Sequence, residues 1–303
     1  MRLWLSAGLA AVVAASAVPG WAVASEAKQL DFATPDQAVE ALIAAVRKND
    51  QRELLRILGP SGEKLIHSGD RVADRRARFR LTRAYDTAHR IQTEASNVAT
   101  LIVGPEDWSL PIPVVKQGKR WHFDTEASAQ KIIDRRVGRN ELNVIEVCRA
   151  YVAAQREYAS GDRLHEYARK FESTPGRHDG LYWETAQDAE QSPLGLLIAS
   201  AQAEGYTSQE RRGRLAPYHG YFYRILKSQG PHAPGGARNY LVDGHMTGGF
   251  ALLAYPAKWG DSGIVTFMVN QDGIVFQKNL GPDTARLARE ITQYDPDLSW
   301  SAP

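Results

Sequence analysis

The chain reads as an α+β protein of two modules, each with helices packed on an antiparallel sheet, and three observations carry that expectation. Between Tyr218 and Gly281, apolar and aromatic runs are cut at short intervals by Gly, Asp-Gly and Pro, the pattern of a β-meander. Residues 98–124 repeat that pattern on a smaller scale. Ahead of each strand-rich stretch lie segments with apolar residues at helical spacing.

The elements follow in chain order. Residues 1–24 read as an export signal: Arg2 gives a positive start, Leu3 to Val18 is small and apolar, and Ala22-Val23-Ala24 supplies the small-x-small end at which cleavage is expected. The apolar run falls short of the roughly 20 residues that span a bilayer, so no membrane span is expected once the signal is removed. The chain is therefore expected to be periplasmic or secreted. No lipid-anchor cysteine follows the signal, because Cys148 is the only cysteine, and one cysteine makes no internal disulfide. Cys148 lies on the apolar face Leu142-Asn143-Val144-Ile145-Glu146-Val147-Cys148 and reads as a buried small hydrophobe.

Thr34 before Pro35 is an N-cap with proline in the first turn, and Val39, Leu42, Ile43 and Val46 continue the helix. A second helix is expected over Gln51–Leu58, stopped by Gly59-Pro60, and a third over Val72–Arg90. The period then changes. Val98–Val103, Ile112–Lys116 and Arg120–Asp124 read as strands, the last two joined at Gln117-Gly118-Lys119. Glu126–Ser160 reads as a connecting helix, with a module boundary placed near Gly138. Helices are expected over Arg163–Phe171 and Leu194–Glu204, then the meander over 218–281, then a tail helix over Asp283–Tyr294.

Charge excludes little. The 37 basic and 35 acidic residues leave a net charge of +2, which argues against a polyanion-binding protein as a whole. The arginines Arg71, Arg75, Arg76, Arg78, Arg80 and Arg83 crowd one helix, and Arg135, Arg136 and Arg139 follow later. On the third helix they wrap around the axis, which reads as a solvated surface, and no nucleic-acid partner is expected.

Chemistry-bearing motifs are sparse. Gly260-Asp261-Ser262-Gly263 matches the nucleophile tetrapeptide of trypsin-like proteases, but Ile264 stands where the oxyanion loop needs glycine, so it reads as a turn. Asn270-Gln271-Asp272-Gly273 is another turn. The loop from Ser173 to Trp183 is denser, with His178, Asp179, Tyr182 and Trp183 set between glycines. With Tyr218, His219 and Tyr221 it forms the expected ligand- or partner-binding set. His178, His219 and His245 are the candidate zinc ligands of the rival reading, a metal-assisted hydrolase; no catalytic residue is assigned and no cofactor is expected.

Three resemblances accompany these readings. Helices followed by a sheet that ends in Gly118-Lys119-Arg120-Trp121-His122-Phe123-Asp124 resemble the nuclear-transport-factor-2-like fold over residues 25–138. That resemblance implies a cone whose pocket residues would come from His67, Asp70, Asp86, His89 or His122. His178-Asp179-Gly180-Leu181-Tyr182-Trp183, Pro217-Tyr218-His219-Gly220-Tyr221, Gly248-Gly249-Phe250-Ala251-Leu252 and Leu280-Gly281-Pro282-Asp283-Thr284 resemble a bacterial exported family known as domain of unknown function 2950. That resemblance implies an envelope location and no particular activity. Residues 139–303 are similar to the globular heads of type IV pilins and pseudopilins, implying an interaction surface for protein or polymer partners of the envelope.

Overall fold

The computed structural model describes residues 28–161, 165–184, 191–206 and 216–303. The expected export signal lies outside them. The described residues form an α+β fold with antiparallel sheets, as anticipated.

Helix α1 (Pro35–Lys48) opens where the sequence places it: the Thr34 hydroxyl accepts the amide of Gln37, and Asn49 closes the helix in the left-handed conformation that asparagine tolerates. Its buried stripe, Ala38, Val39, Leu42, Ile43, Ala45 and Val46, packs against α2 (Gln51–Leu58), whose N-cap is Asp50. A single 3-10 turn at Pro60–Gly62 and the one-turn α3 (Glu63–Ile66) lead to α4 (Arg71–Thr87). Strands β1 (His89–Ala95), β2 (Val98–Val103), β3 (Trp108–Ser109), β4 (Val114–Gln117) and β5 (Arg120–Phe123) form the first sheet. The order is β1-β2-β4-β5, with β3 beside the far end of β2. Leu101, Val103, Val114 and Phe123 close the core over α1 and α2.

Three expectations fail locally. The tail helix ends at Glu290 and not at Tyr294, whose amide donates to the Ser228 carbonyl at 2.9 Å. The third helix stops at Thr87 instead of Arg90, because His89 pairs with Val103 and the ladder with β2 outcompetes one more helical turn. His165–Phe171 is not helical, and Arg163 and Leu164 lie outside the described residues. The backbone bonds of this segment go elsewhere: Tyr167 donates to the Met246 carbonyl at 2.8 Å, and Ala168 donates to the Gln155 side chain at 2.8 Å.

Helix α5 (Thr125–Ser160) runs 36 residues, about 54 Å, without interruption through Gly138. Its first half packs on the first core through Ile132, and its second half carries Val144, Cys148, Tyr151 and Val152 into a second core. That core is roofed by the sheet β13-β12-β11-β6: β6 (Tyr221–Leu226), β11 (Ala251–Pro256), β12 (Thr266–Asn270) and β13 (Phe276–Lys278). Strands β11 and β12 are buried at every position, so they read as continuous apolar runs without alternation. Between β6 and β11 lie the two-residue pairs β7 (Ser228–Gln229) with β8 (Arg238–Asn239) and β9 (Leu241–Val242) with β10 (His245–Met246). Helix α6 (Gly195–Ala203) and the tail helix α7 (Thr284–Glu290) complete the described fold.

The protease-like tetrapeptide is a turn, as read. The Gly260 amide donates to the Gly263 carbonyl at 2.9 Å, and the fully buried Ser262 hydroxyl accepts the Lys258 amide at 2.9 Å. Gly263 is compulsory for a packing reason, since a Cβ there would stand 2.0 Å from the Tyr221 hydroxyl.

A polar seam joins the halves. Arg136 of α5 donates to the carbonyls of Lys64 (2.9 Å) and Asp261 (3.3 Å), Asn140 donates to the Ser262 carbonyl at 2.8 Å, and Glu141 accepts the amide of Ile264 at 2.9 Å. Asp70 is the centre of it. One carboxylate oxygen caps α4 by accepting the amides of Val72 (3.1 Å) and Ala73 (3.0 Å). The other accepts the Tyr206 hydroxyl (2.8 Å) and the amide of Gly220 (2.9 Å), 150 residues along the chain. At 1% exposure the carboxylate has every charge-assisted bond it needs.

Candidate functional site

The Ser173–Trp183 loop is fixed by one acid. Asp179 accepts the Thr174 amide (2.7 Å) and the Thr174 hydroxyl (2.9 Å) and pairs with Lys170 Nζ (2.9 Å). Lys170 and these Thr174 bonds hold its carboxyl well below the usual carboxylate range. Gly180 is forced: a Cβ there would come within 2.7 Å of the Glu172 backbone, which passes alongside as Tyr182 bridges back to Glu172. The Ser173 amide donates to the Tyr182 carbonyl and the Tyr182 amide to the Phe171 carbonyl, both at 2.8 Å.

Beside this loop opens a cleft of about 450 Å³, a volume within the ligand-sized range. Tyr182, Trp183 and His178 supply its aromatic wall, Arg177, Glu172 and Glu184 its charges, and Ile198 and Gln202 of α6 its opposite side. The His178 ring lies parallel to Trp183, with centroids 4.2 Å apart and planes at 14°. Trp183 itself is 6% exposed, so the outward surface of that stack belongs to His178. The Tyr158 hydroxyl donates to the His178 carbonyl at 3.0 Å and fixes the loop from below.

The remaining candidates lie at the seam or in the core. His219 takes a left-handed φ of 50° at the turn into β6 and packs against Tyr218 and Tyr206, with ring centroids 4.1 and 6.1 Å away. Its Nδ1 is 3.9 Å from Glu204, which is itself paired with Arg76 at 2.6 Å. Burial pushes the His219 pKa down; Glu204 and Asp70 oppose that shift and Arg76 adds to it. Tyr218 completes a small apolar cluster with Val72, Ala201 and Tyr206. Tyr221 is fully buried and donates to the Val265 carbonyl at 2.9 Å, so it acts as a core tyrosine.

The three histidines are not gathered. His178 stacks on Trp183, His219 faces Glu204, and the exposed His245 places Nδ1 2.9 Å from Glu166. Among the described residues, no three His, Cys, Asp or Glu side chains are grouped to hold a metal ion. The expected cone-pocket residues are similarly dispersed. Asp70 is the seam's cap, Asp86 pairs with Arg47, His89 stacks on Tyr85 at 3.7 Å, and His67 is exposed at the end of α3.

Sequence reasoning missed Glu172, Arg177, Glu184, Ile198 and Gln202 as cleft residues. Arg177 lies within the aromatic loop and Glu184 directly follows it. Ile198 and Gln202 come from a helix brought in by tertiary packing, and nothing local marks them.

The described residues form an α+β protein with two large hydrophobic cores, a helix that reaches both, and a cleft beside the Ser173–Trp183 loop. A family model described as "Protein of unknown function (DUF2950)" matches residues 29–302, and the chain belongs to that family. No curated protein and no solved structure matches it. Among the described residues, no helix is long and apolar enough to cross a membrane.

Proposed function

We propose that this chain is an exported envelope protein acting as a non-catalytic binding or assembly module, and that it recognises a protein or polymer partner through the Ser173–Trp183 cleft. The observation that carries the reading is the preorganised loop. Asp179, Lys170 and Thr174 lock the backbone, so Arg177 and the His178–Trp183 stack are presented with little ordering left to do on binding. Within this proposal residues 25–138 form a nuclear-transport-factor-2-like module and residues 139–303 a pilin-like head. The packing of α5 against the antiparallel β6-β11-β12-β13 sheet supports the second assignment.

The test is site-specific photo-crosslinking in cells from a probe at Tyr182, on the cleft wall. The proposal expects a discrete adduct that disappears when Arg177 and His178 are both changed to alanine. The absence of any discrete adduct, or an adduct indifferent to that double change, overturns it.

A further inference from the structure

The first sheet has an open edge. Among the described residues β1 pairs only with β2, and no strand or isolated bridge joins its other side. Two other sheet ends are closed: Phe32 bridges to Trp121 of β5 with backbone bonds of 2.8 and 2.9 Å, and Ser301 bridges to Gln277 of β13. Strand β1 carries neither proline nor lysine, the residues that ordinarily blunt such an edge. From His89 to Glu94 it is exposed except at the half-buried Ile91.

The register fixes which backbone groups this edge offers. The Gly104 amide donates to the Ala88 carbonyl at 2.9 Å, and bonded positions in an antiparallel pair recur at every second residue, so Arg90 and Gln92 bond to β2. Ile91 and Thr93 therefore turn their N–H and C=O groups outward. Strand β2 agrees, because the carbonyl of Leu101, opposite Ile91, points to the far side and accepts the Leu110 amide at 2.8 Å. A β-bulge after Thr93, with Glu94 as the extra residue, ends the regular edge.

We propose that this edge pairs with the same edge of a second copy of the chain, antiparallel and two-fold symmetric about Gln92. In that register Ile91 of each copy faces Thr93 of the other, and each such pair exchanges both of its backbone hydrogen bonds. Charge selects the partner. Arg90 of each copy falls opposite Glu94 of the other, a favourable cross-strand pair made twice by symmetry. Glu94 forms no ion pair within the described residues, and Arg90, paired with Asp107 on its own sheet, has further guanidinium donors to offer. A strand of arbitrary sequence satisfies the backbone alone; this strand, read in reverse, also satisfies the charges. The symmetric pairing consumes the edge on both copies, so association closes at the dimer. No residue of β1 lines the cleft beside Trp183, and the dimer stands independently of recognition there.

Analytical ultracentrifugation of the purified mature chain over a concentration series tests this, and a reversible equilibrium between monomer and dimer is expected. Arg90→Glu alone and Glu94→Arg alone should each weaken it roughly tenfold, because like charges then stand opposite one another at both ends. Mixing the two variants should restore the affinity in a heterodimer, which loss of the Arg90–Asp107 pair alone would not allow. Thr93→Pro, whose missing N–H points away from β2, should abolish association and leave the melting temperature near that of the wild type. A chain that stays monomeric up to its solubility limit overturns the proposal. So does a dimer indifferent to the charge reversals, which leave the pairing of β1 with β2 in place.

Discussion

Replacing Asp70 with alanine removes four hydrogen bonds at once, and the consequences can be worked out bond by bond. Losing the cap on Val72 and Ala73 costs α4 about 0.5–2 kcal/mol. The Tyr206 hydroxyl and Gly220 amide are then left as unsatisfied donors beside a former carboxylate that was 1% exposed, at about 1–3 kcal/mol each. The sum, roughly 2.5–8 kcal/mol, is a large part of the 5–15 kcal/mol that stabilises a typical folded protein. Asp70→Asn retains the shape, but its amide must point a donor at one of the donors that the carboxylate accepted, so about half the loss should remain. Urea denaturation followed by tryptophan fluorescence reads the difference. A loss below about 1 kcal/mol for Asp70→Ala is what a solvent-exposed cap alone would give, and it would refute the view that this carboxylate ties the halves together.

Other consequences are simpler. Because burial depresses the His219 pKa, the unfolded chain binds the extra proton first, so stability should fall as pH drops below the ordinary 6.5 and recover above it. His219→Asn, tolerated at a φ of 50°, should flatten that slope in urea midpoints measured on both sides of 6.5. The Asp179 carboxyl is held low, so the ordered loop should persist above the ordinary 3.8 and loosen as pH falls below it, visible as faster amide exchange at Thr174. Gly263→Ala places a methyl group 2.0 Å from the Tyr221 hydroxyl and should cost at least about 1–3 kcal/mol by overpacking, read as a lowered melting temperature. The Cys148 thiol, pushed up to about 12 by burial, should resist alkylation at neutral pH in the folded protein and react once it is unfolded.

How much of this was legible depended on the range of the interaction. Caps and turns are local: Thr34, Asp50, Gly59 and the Asp272-Gly273 turn signal themselves within a few residues, so α1, α2 and the meander fall where the sequence puts them. The end of α4 is less local, because β2 recruits His89 and its neighbours into a strand. The conformation of His165–Phe171 is set by Met246 and Gln155, one of them far along the chain, and its helical look carried no information about either. Candidate site residues divide in the same way. The aromatic and acidic character of His178–Trp183 marks the cleft, whereas α6 arrives only by folding. Asp70 carries a cap signal before Arg71 and Val72, yet its second oxygen serves Tyr206 and Gly220, which no local pattern announces. The histidines look like a ligand set by residue type alone; Trp183, Glu204 and Glu166 engage them separately.

The claim that recognition resides in the Ser173–Trp183 cleft is tested most directly by affinity. The partner captured from Tyr182 should be titrated against the purified wild-type chain and against Arg177→Ala with His178→Ala. The cleft account predicts at least a tenfold weaker Kd for the double variant, about 1.4 kcal/mol, with an unchanged melting temperature. An unchanged Kd would contradict it.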